Sequence, residues 1–493
     1  MSYTKRAVKG FMIVFVINII AAFLGYLIRI VLARNLTVAE YGLFFSVFTL
    51  MSFLGVFISL GTNESIVKYI PEFLVKKQHS KVKSALLITA VCTLATVIVF
   101  SIIIFFLSQP LANHYFRNPL AEPVLLLFIA ILLFVSFKGM LRQAFQALQD
   151  MRLFSFMYLA ENSLLLIMLF AAFAFSQTIF SAAYVYIAVN LLLIMIFTLF
   201  LKKSLYSLTG KASIDKKVLK DMVKFGIFVI GSNIGGIMIL YTDTLVLTYF
   251  RSLAEVGVYN AVVPTVMMIQ FFATSIVTVI FPMVSELWAK KKKDYLAKGL
   301  GTIYQYSFAI MIPAVIIALA FSEPILGIMF GPDYIGGAIP MQLLLVGIVF
   351  FGLYSITSAA LNGIGKPAIS TKILLQGALL NLILNLLLIP TMGMLGAALS
   401  SLISYVFTGI YSSLKLARFI EIRMPWLSWL KTVAIGIIML LLIIFLSDLL
   451  VMNVYAKIIM ISAIAGILYL VLVIIAKVID LKELVSLLAH IVK

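Results

Sequence analysis

Fourteen apolar stretches, each about as long as a membrane is thick, follow one another almost from end to end of this chain. They fall at 11–33, 41–62, 84–107, 122–141, 154–175, 180–201, 222–245, 256–280, 301–322, 337–359, 369–390, 395–416, 428–448 and 456–476. A helix crosses the roughly 30 Å hydrocarbon core of a bilayer in about 20 residues. Only helices and closed barrels satisfy their own backbone in lipid, and the weaker alternation of about ten residues that marks a barrel strand is absent. The expectation is therefore an all-α polytopic membrane protein of about fourteen transmembrane helices. Composition closes the alternative. Of 493 residues 64% are hydrophobic and 11% charged, against about 45–50% and about 25% in soluble proteins. A water-soluble enzyme is excluded.

The basic residues give an orientation. With the N-terminus inside, the inward segments carry 32 of the 37 Lys and Arg and the outward loops carry 4, the last being Arg29 within the first span. Positive charge collects on the cytoplasmic side, so both termini are expected in the cytoplasm. The same rule accounts for the net charge of +19 without nucleic acid as a partner. The basic start and long apolar run that follows read as a first span rather than a cleaved signal peptide. The longest inward loop, 202–221, has about 20 residues, too few for a soluble catalytic domain. A single cysteine, Cys92, allows no intramolecular disulfide, and His79, His114 and His490 have no zinc spacing. No catalytic motif and no metal site is expected.

The chain also resembles itself. Ala39-Glu40-Tyr41-Gly42-Leu43-Phe44 recurs as Ala254-Glu255-Val256-Gly257-Val258-Tyr259, Ile70-Pro71 as Phe281-Pro282, Phe116-Arg117-Asn118-Pro119 as Phe330-Gly331-Pro332-Asp333, and Ala147-Leu148-Gln149 as Ala360-Leu361-Asn362. All four recurrences share nearly the same offset in numbering. Spans 1–6 thus repeat as spans 7–12, and an even number of spans makes the repeat parallel. The expected organisation is an N-lobe at 1–205, a C-lobe at 206–420, related by a pseudo-twofold axis along the membrane normal, and two further helices in 421–493.

Charges inside spans are costly, about 2.5–3.5 kcal/mol on insertion scales, and usually face a cavity. Arg29 lies late in span 1 and Asp243 late in span 7, and the repeat offset carries the first position onto the second. They are candidates for opposite charges lining a central cavity. Glu64, Lys68 and Glu72 follow span 2 on one helix face. Lys138 and Arg142 end span 4 as an i, i+4 pair able to hold a phosphate, although positive-inside charge accounts for Arg142 as well. Glu161 enters span 5. Asn18, Asn190, Asn233, Asn260, Gln270, Gln376, Asn381 and Asn385 are expected to hydrogen-bond between helices, and Pro264 and Pro313 to kink theirs.

Several segments resemble those of Wzx-type polysaccharide flippases, in the multidrug/oligosaccharidyl-lipid/polysaccharide exporter superfamily. They are Arg34-Asn35-Leu36-Thr37-Val38-Ala39-Glu40-Tyr41-Gly42-Leu43-Phe44 after span 1, Asp243 with Val256-Gly257-Val258-Tyr259, Phe330-Gly331-Pro332-Asp333-Tyr334, Leu361-Asn362-Gly363-Ile364-Gly365-Lys366-Pro367, and Met392-Gly393-Met394-Leu395-Gly396-Ala397-Ala398. The resemblance implies a two-lobed bundle in the plasma membrane that alternates between inward- and outward-open forms. It implies transport, without enzymatic chemistry, of a polyprenyl-linked oligosaccharide to the outer leaflet. Arg29, Lys68, Lys138 and Arg142 match the family's cationic cavity. Asp243 departs from it and, with Glu64 and Glu161, is a candidate for gating or for coupling to H+ or Na+. Partners implied are the lipid-linked glycan, membrane lipids and other polysaccharide-assembly proteins. The alternatives are a cation-coupled drug exporter of the same superfamily and, less well matched to the short loops, a membrane-embedded glycan polymerase.

Overall fold

The computed structural model describes residues 3–206, 211–422 and 424–479. Among these every regular element is helical, and fourteen helices are long and apolar enough to cross a membrane. In the first half α1 (Tyr3–Asn35), α2 (Val38–Gly55), α3 (Thr62–Val75), α4 (His79–Pro110), α5 (Ala121–Ala147), α6 (Met151–Phe173) and α7 (Ile179–Leu205) succeed one another through short turns. Then come α8 (Lys216–Phe250), α9 (Leu253–Ala289), α10 (Lys293–Ala320), the short α11 (Ser322–Met329), α12 (Ala338–Gly363), α13 (Pro367–Met392) and α14 (Met394–Leu416). Helices α15 (Trp426–Leu449) and α16 (Val454–Ile475) follow. His490 and the last basic residues lie outside the described residues.

Local chemistry starts and stops these helices. Thr37 caps α2 in a reciprocal box: the Glu40 N–H donates to Thr37 Oγ1 at 3.2 Å, and the Thr37 N–H donates to Glu40 Oε2 at 3.0 Å. Asp150, Thr178 and Asp215 cap α6, α7 and α8 in the same sense. At the ends of α3 and α9, Lys77 and Lys291 turn left-handed with φ of 55° and 56°, while the following N–H reaches back to Phe73 O and Leu287 O. This is the Schellman closure, which satisfies carbonyls that helix ends leave open. The two lysines stand at the repeat offset from one another. So do Arg117 and Gly331, which both take positive φ. Packing repeats as well: α5 on α7, α6 on α7 and α4 on α5 in the first half; α12 on α14, α13 on α14 and α10 on α12 in the second.

The described chain clusters into two compact units, Met1–Ile237 with Thr244–Asn260, and Met238–Asp243 with Ala261–Lys493. In the first unit the core sits where α2, α5 and α7 meet, with Phe44, Phe128 and Tyr186 in ring contact. In the second, Tyr304 is fully buried among α10, α12 and α14, its hydroxyl bonded to Thr357, and α15 packs over α10 through Trp429. Outward faces carry residues such as Phe106 and Phe445, 73% and 63% exposed. In lipid that is the satisfied state.

One expectation needs correction. The stretch 41–62 reads as one continuous span, but the helix breaks between α2 and α3, where Ser59, Leu60 and Gly61 all take positive φ. Side chains catch the freed backbone groups: the Ser59 N–H donates to Thr96 Oγ1 at 3.1 Å, and Thr62 Oγ1 donates to Ser59 O at 2.8 Å. Non-helical backbone at membrane depth needs that kind of internal partner. By contrast, α9 and α10 stay helical through Pro264 and Pro313.

Candidate functional site

Arg29 projects from α1 in the first unit. Its guanidinium carbon lies 4.3 Å from the centroid of the Phe45 ring, and Nη1 donates to Asn260 O at 3.3 Å. Tyr41, fully buried, also donates to Asn260 O, at 3.5 Å. An aromatic face and a backbone carbonyl orient a guanidinium without cancelling its charge. Among the described residues no carboxylate of its own unit pairs with it. What results is a half-buried cation able to receive an oxyanion.

Asp243 belongs to the second unit and is 7% exposed. Ser401 Oγ donates to Oδ2 at 2.6 Å, and the Nδ2 atoms of Asn381 and Asn385 donate to Oδ1 at 3.1 and 2.7 Å. Asn381 also reaches Ser401 Oγ at 3.1 Å, and Asn385 reaches Asn381 Oδ1 at 3.1 Å. Asn381 and Asn385 stand one turn apart on α13, so both amides face the same carboxylate. Two amides and a hydroxyl, gathered with the acid from three helices, thus surround a buried carboxylate with donated hydrogen bonds. The hydrogen bonding expected of Asn381 and Asn385 is thus between helices. Asn190 instead donates to a carbonyl of its own helix, Tyr186 O at 2.7 Å, and Asn260 does both: Nδ2 donates to Val256 O at 3.0 Å, and Oδ1 accepts from Thr244 Oγ1 on α8 at 3.5 Å.

Lys138 and Glu161, from α5 and α6, form a direct ion pair in the first unit. Lys138 is 8% exposed. Two such charges are tolerable away from water only together. The pair lines a cavity of about 370 Å³, bounded also by α2, α3 and α7. Arg142, one turn on from Lys138, takes other partners: its guanidinium lies over Phe154 at 4.4 Å and Tyr158 at 5.0 Å. The two cations, read from the sequence as one patch, therefore have separate surroundings.

On α3, Glu64 and Lys68 are exposed, with the Lys68 ammonium 4.2 Å from the Phe225 ring centroid. Glu72 pairs with Lys76 at 2.5 Å, and that ammonium holds its carboxyl below the usual range. Arg29, Lys68, Lys138, Arg142, Glu64 and Glu161 are all in the first unit and Asp243 in the second; of these, Lys138 and Glu161 are in contact. Ser401 carries no sequence signal, because a serine among the many in α14 looks like any other small packing residue. Asn63, which lines the cavity, is equally silent in the sequence.

A family model described as polysaccharide biosynthesis protein matches residues 7–288. The chain belongs to the polysaccharide biosynthesis protein family. Within the same exporter superfamily, a model described as MatE matches 228–387. An uncharacterised membrane protein of Methanocaldococcus jannaschii is 31% identical over 91% of both chains. The probable low-salt glycan biosynthesis flippase Agl15 of Haloferax volcanii is 24% identical over 84% of both. Among solved structures, the lipid II flippase MurJ superposes with a TM-score of 0.76 over 94% of this chain and 99% of its own, at 16% identity. An inward-facing multidrug resistance MATE transporter gives 0.68 over 81% and 95%, at 13% identity. These structural likenesses establish the fold of this family member: an all-α, multi-pass membrane transporter fold.

Proposed function

We propose that this family member is a flippase that moves a polyprenyl-linked oligosaccharide from the cytoplasmic to the outer leaflet of the plasma membrane, by alternating access, during assembly of a surface glycan. The observation that carries the reading is kinship along nearly the whole chain to a protein named as a glycan biosynthesis flippase. The chemistry of the site agrees. The substrate joins a diphosphate, a polar glycan and an apolar tail. Arg29 offers a preoriented guanidinium fork to the diphosphate, while a tail left in lipid costs nothing.

Asp243 is the coupling residue in this reading. A buried carboxylate held by three donated hydrogen bonds is where a proton or Na+ is taken up, its single positive charge balancing the acid and displacing the amide and hydroxyl donors of Asn381, Asn385 and Ser401. A second reading, a cation-coupled exporter of small molecules, is favoured by the match of 228–387 to the MatE model.

One experiment separates them. Purified protein in liposomes is supplied with a fluorescent lipid-linked oligosaccharide and, separately, with a cationic dye. The flippase reading expects glycolipid translocation that Asp243→Asn uncouples from a Na+ or H+ gradient. Gradient-driven dye efflux without glycolipid movement establishes the second reading.

A further inference from the structure

The cavity beside Lys138 and Glu161 lies inside the first unit, and neither Arg29 nor Asp243 lines it. Its chemistry is distinctive. Its volume of about 370 Å³ falls in the range of roughly 300–1,000 Å³ usual for small-molecule sites. Phe48 and Tyr186 line it from α2 and α7, Phe128 from α5. These rings brace one another edge-on, Phe48 to Phe128 at 6.5 Å and Phe48 to Tyr186 at 6.3 Å. They are therefore stiff apolar walls.

Two of the polar groups that line the cavity are acceptors in want of a donor. Asn190 is 0% exposed. Its Nδ2 donates to Tyr186 O at 2.7 Å, and because a carbonyl oxygen can only accept, the amide must turn its N–H to it, which fixes the amide orientation. Asn190 Oδ1 is then left buried with no partner among the described residues, and so is Asn63 Oδ1 on α3. A buried acceptor without a donor is unfavourable, and both amides belong to residues that line the cavity.

The charge balance narrows the ligand. Glu161 is neutralised by Lys138, so an incoming cation meets the ammonium and an incoming anion meets the carboxylate. A neutral ligand avoids both penalties and can use the pair as donor and acceptor at once. It needs hydroxyl or amide N–H groups for Asn63 and Asn190 and an apolar face for Phe48 and Tyr186. A pyranose ring has this combination: C–H groups on one face and hydroxyls or an acetamido group at its rim.

From this we infer that the Lys138–Glu161 cavity is a sugar subsite that accepts one neutral pyranose unit, through Asn63, Asn190 and the ion pair. The inference deepens the flippase reading and rests on it for the origin of the sugar, which is the glycan of the lipid-linked substrate. The cavity's capacity for a sugar rests on the geometry alone.

Saturation-transfer difference NMR on the full-length protein in nanodiscs tests it. The probes are methyl mannoside, N-acetylglucosamine and galactose at millimolar concentration, with inorganic phosphate and tetraphenylphosphonium as anionic and cationic controls. Ring-proton saturation is expected for at least one sugar. Asn190→Leu, which removes the orphan acceptor, is expected to weaken it about tenfold, the effect of one lost hydrogen bond. Gly139→Leu is the second variant. Gly139 lines the cavity, and a Cβ there meets no atom within 4 Å, so the larger side chain fills the space and leaves every polar contact intact. It is expected to abolish the sugar signal even if Asn190→Leu does not fold.

Absence of saturation by all three sugars in the unaltered protein overturns the inference, as does an unchanged signal in Gly139→Leu. So does saturation of tetraphenylphosphonium in place of the sugars. Liposome translocation measured on the same preparations keeps the two readings apart. Sugar binding without glycolipid movement overturns the flippase reading and leaves the subsite standing; glycolipid movement with no sugar signal overturns the subsite alone.

Discussion

Arg29 and Asp243 stand out in the sequence because each is a lone charge in an apolar run, and that is a local fact. What each does depends on partners the sequence does not announce. Arg29 rests on Phe45 and on the carbonyl of Asn260, 231 residues away. A guanidinium held by neutral groups keeps its charge for a ligand, so Arg29→Ala is expected to abolish glycolipid translocation in liposomes while membrane abundance stays near normal. Arg29→Lys keeps the charge but loses the planar fork and is expected to retain part of the rate. Full activity of Arg29→Ala would show that the diphosphate is held elsewhere. Lys138 and Glu161 were each legible as intramembrane charges. Their pairing was not, because the turn that joins α5 to α6 sets the relative rotation of the two helices, and with it which side chains face each other.

At the scale of elements, two glycine contacts decide how helices approach in the first unit. A Cβ on Gly42 would lie 1.8 Å from Leu253 O, and one on Gly257 would lie 2.3 Å from Val38 O. Helices α2 and α9 therefore meet backbone to backbone, the close approach that small residues permit in membrane proteins. At the break before α3, Gly61 has φ of 72°, and a Cβ there would lie 2.4 Å from the backbone of Gly226. Ser65 Oγ, one turn on, donates to Met222 O at 2.6 Å and fixes the same contact. Gly42→Val and Gly61→Val must displace backbone, which typically costs about 1–3 kcal/mol. Both are expected to melt at a clearly lower temperature in a detergent thermal-shift assay, whereas Gly139→Ala, with open space around it, is expected to melt with the unaltered protein. Equal melting of all three would mean that the glycine contacts are dispensable. The repeat placed Gly42 and Gly257 at equivalent positions; that they touch each other could not be read from it. The break at Ser59–Gly61 was hidden by a hydropathy that never falls across 41–62.

For the whole molecule, the charge asymmetry of 32 against 4 makes a topological prediction. In a Cys92→Ala background, Ser213→Cys and Asp294→Cys are expected to react with an impermeant thiol reagent only when the cytoplasmic face is opened. Labelling of either from outside intact cells would overturn the span order. The fourteen spans, their approximate places along the chain and their parallel repeat were present in the sequence. Each follows from interactions that are local along the chain: backbone hydrogen bonds that lipid forces a segment to make within itself, caps a few residues long, and charge near a membrane surface. The tertiary structure alone decided which side chains meet. Asp243 finds Asn381, Asn385 and Ser401 across 138 to 158 residues, and a cavity lined by Asn63 and Asn190, whose amide oxygens have no partner among the described residues, opens beside Lys138 and Glu161. Contacts of that kind depend on how each helix is rotated and how closely it packs. In lipid, where the outer face of a helix is as apolar as its inner one, the hydrophobic pattern does not reveal that rotation, and only the packed bundle fixes it.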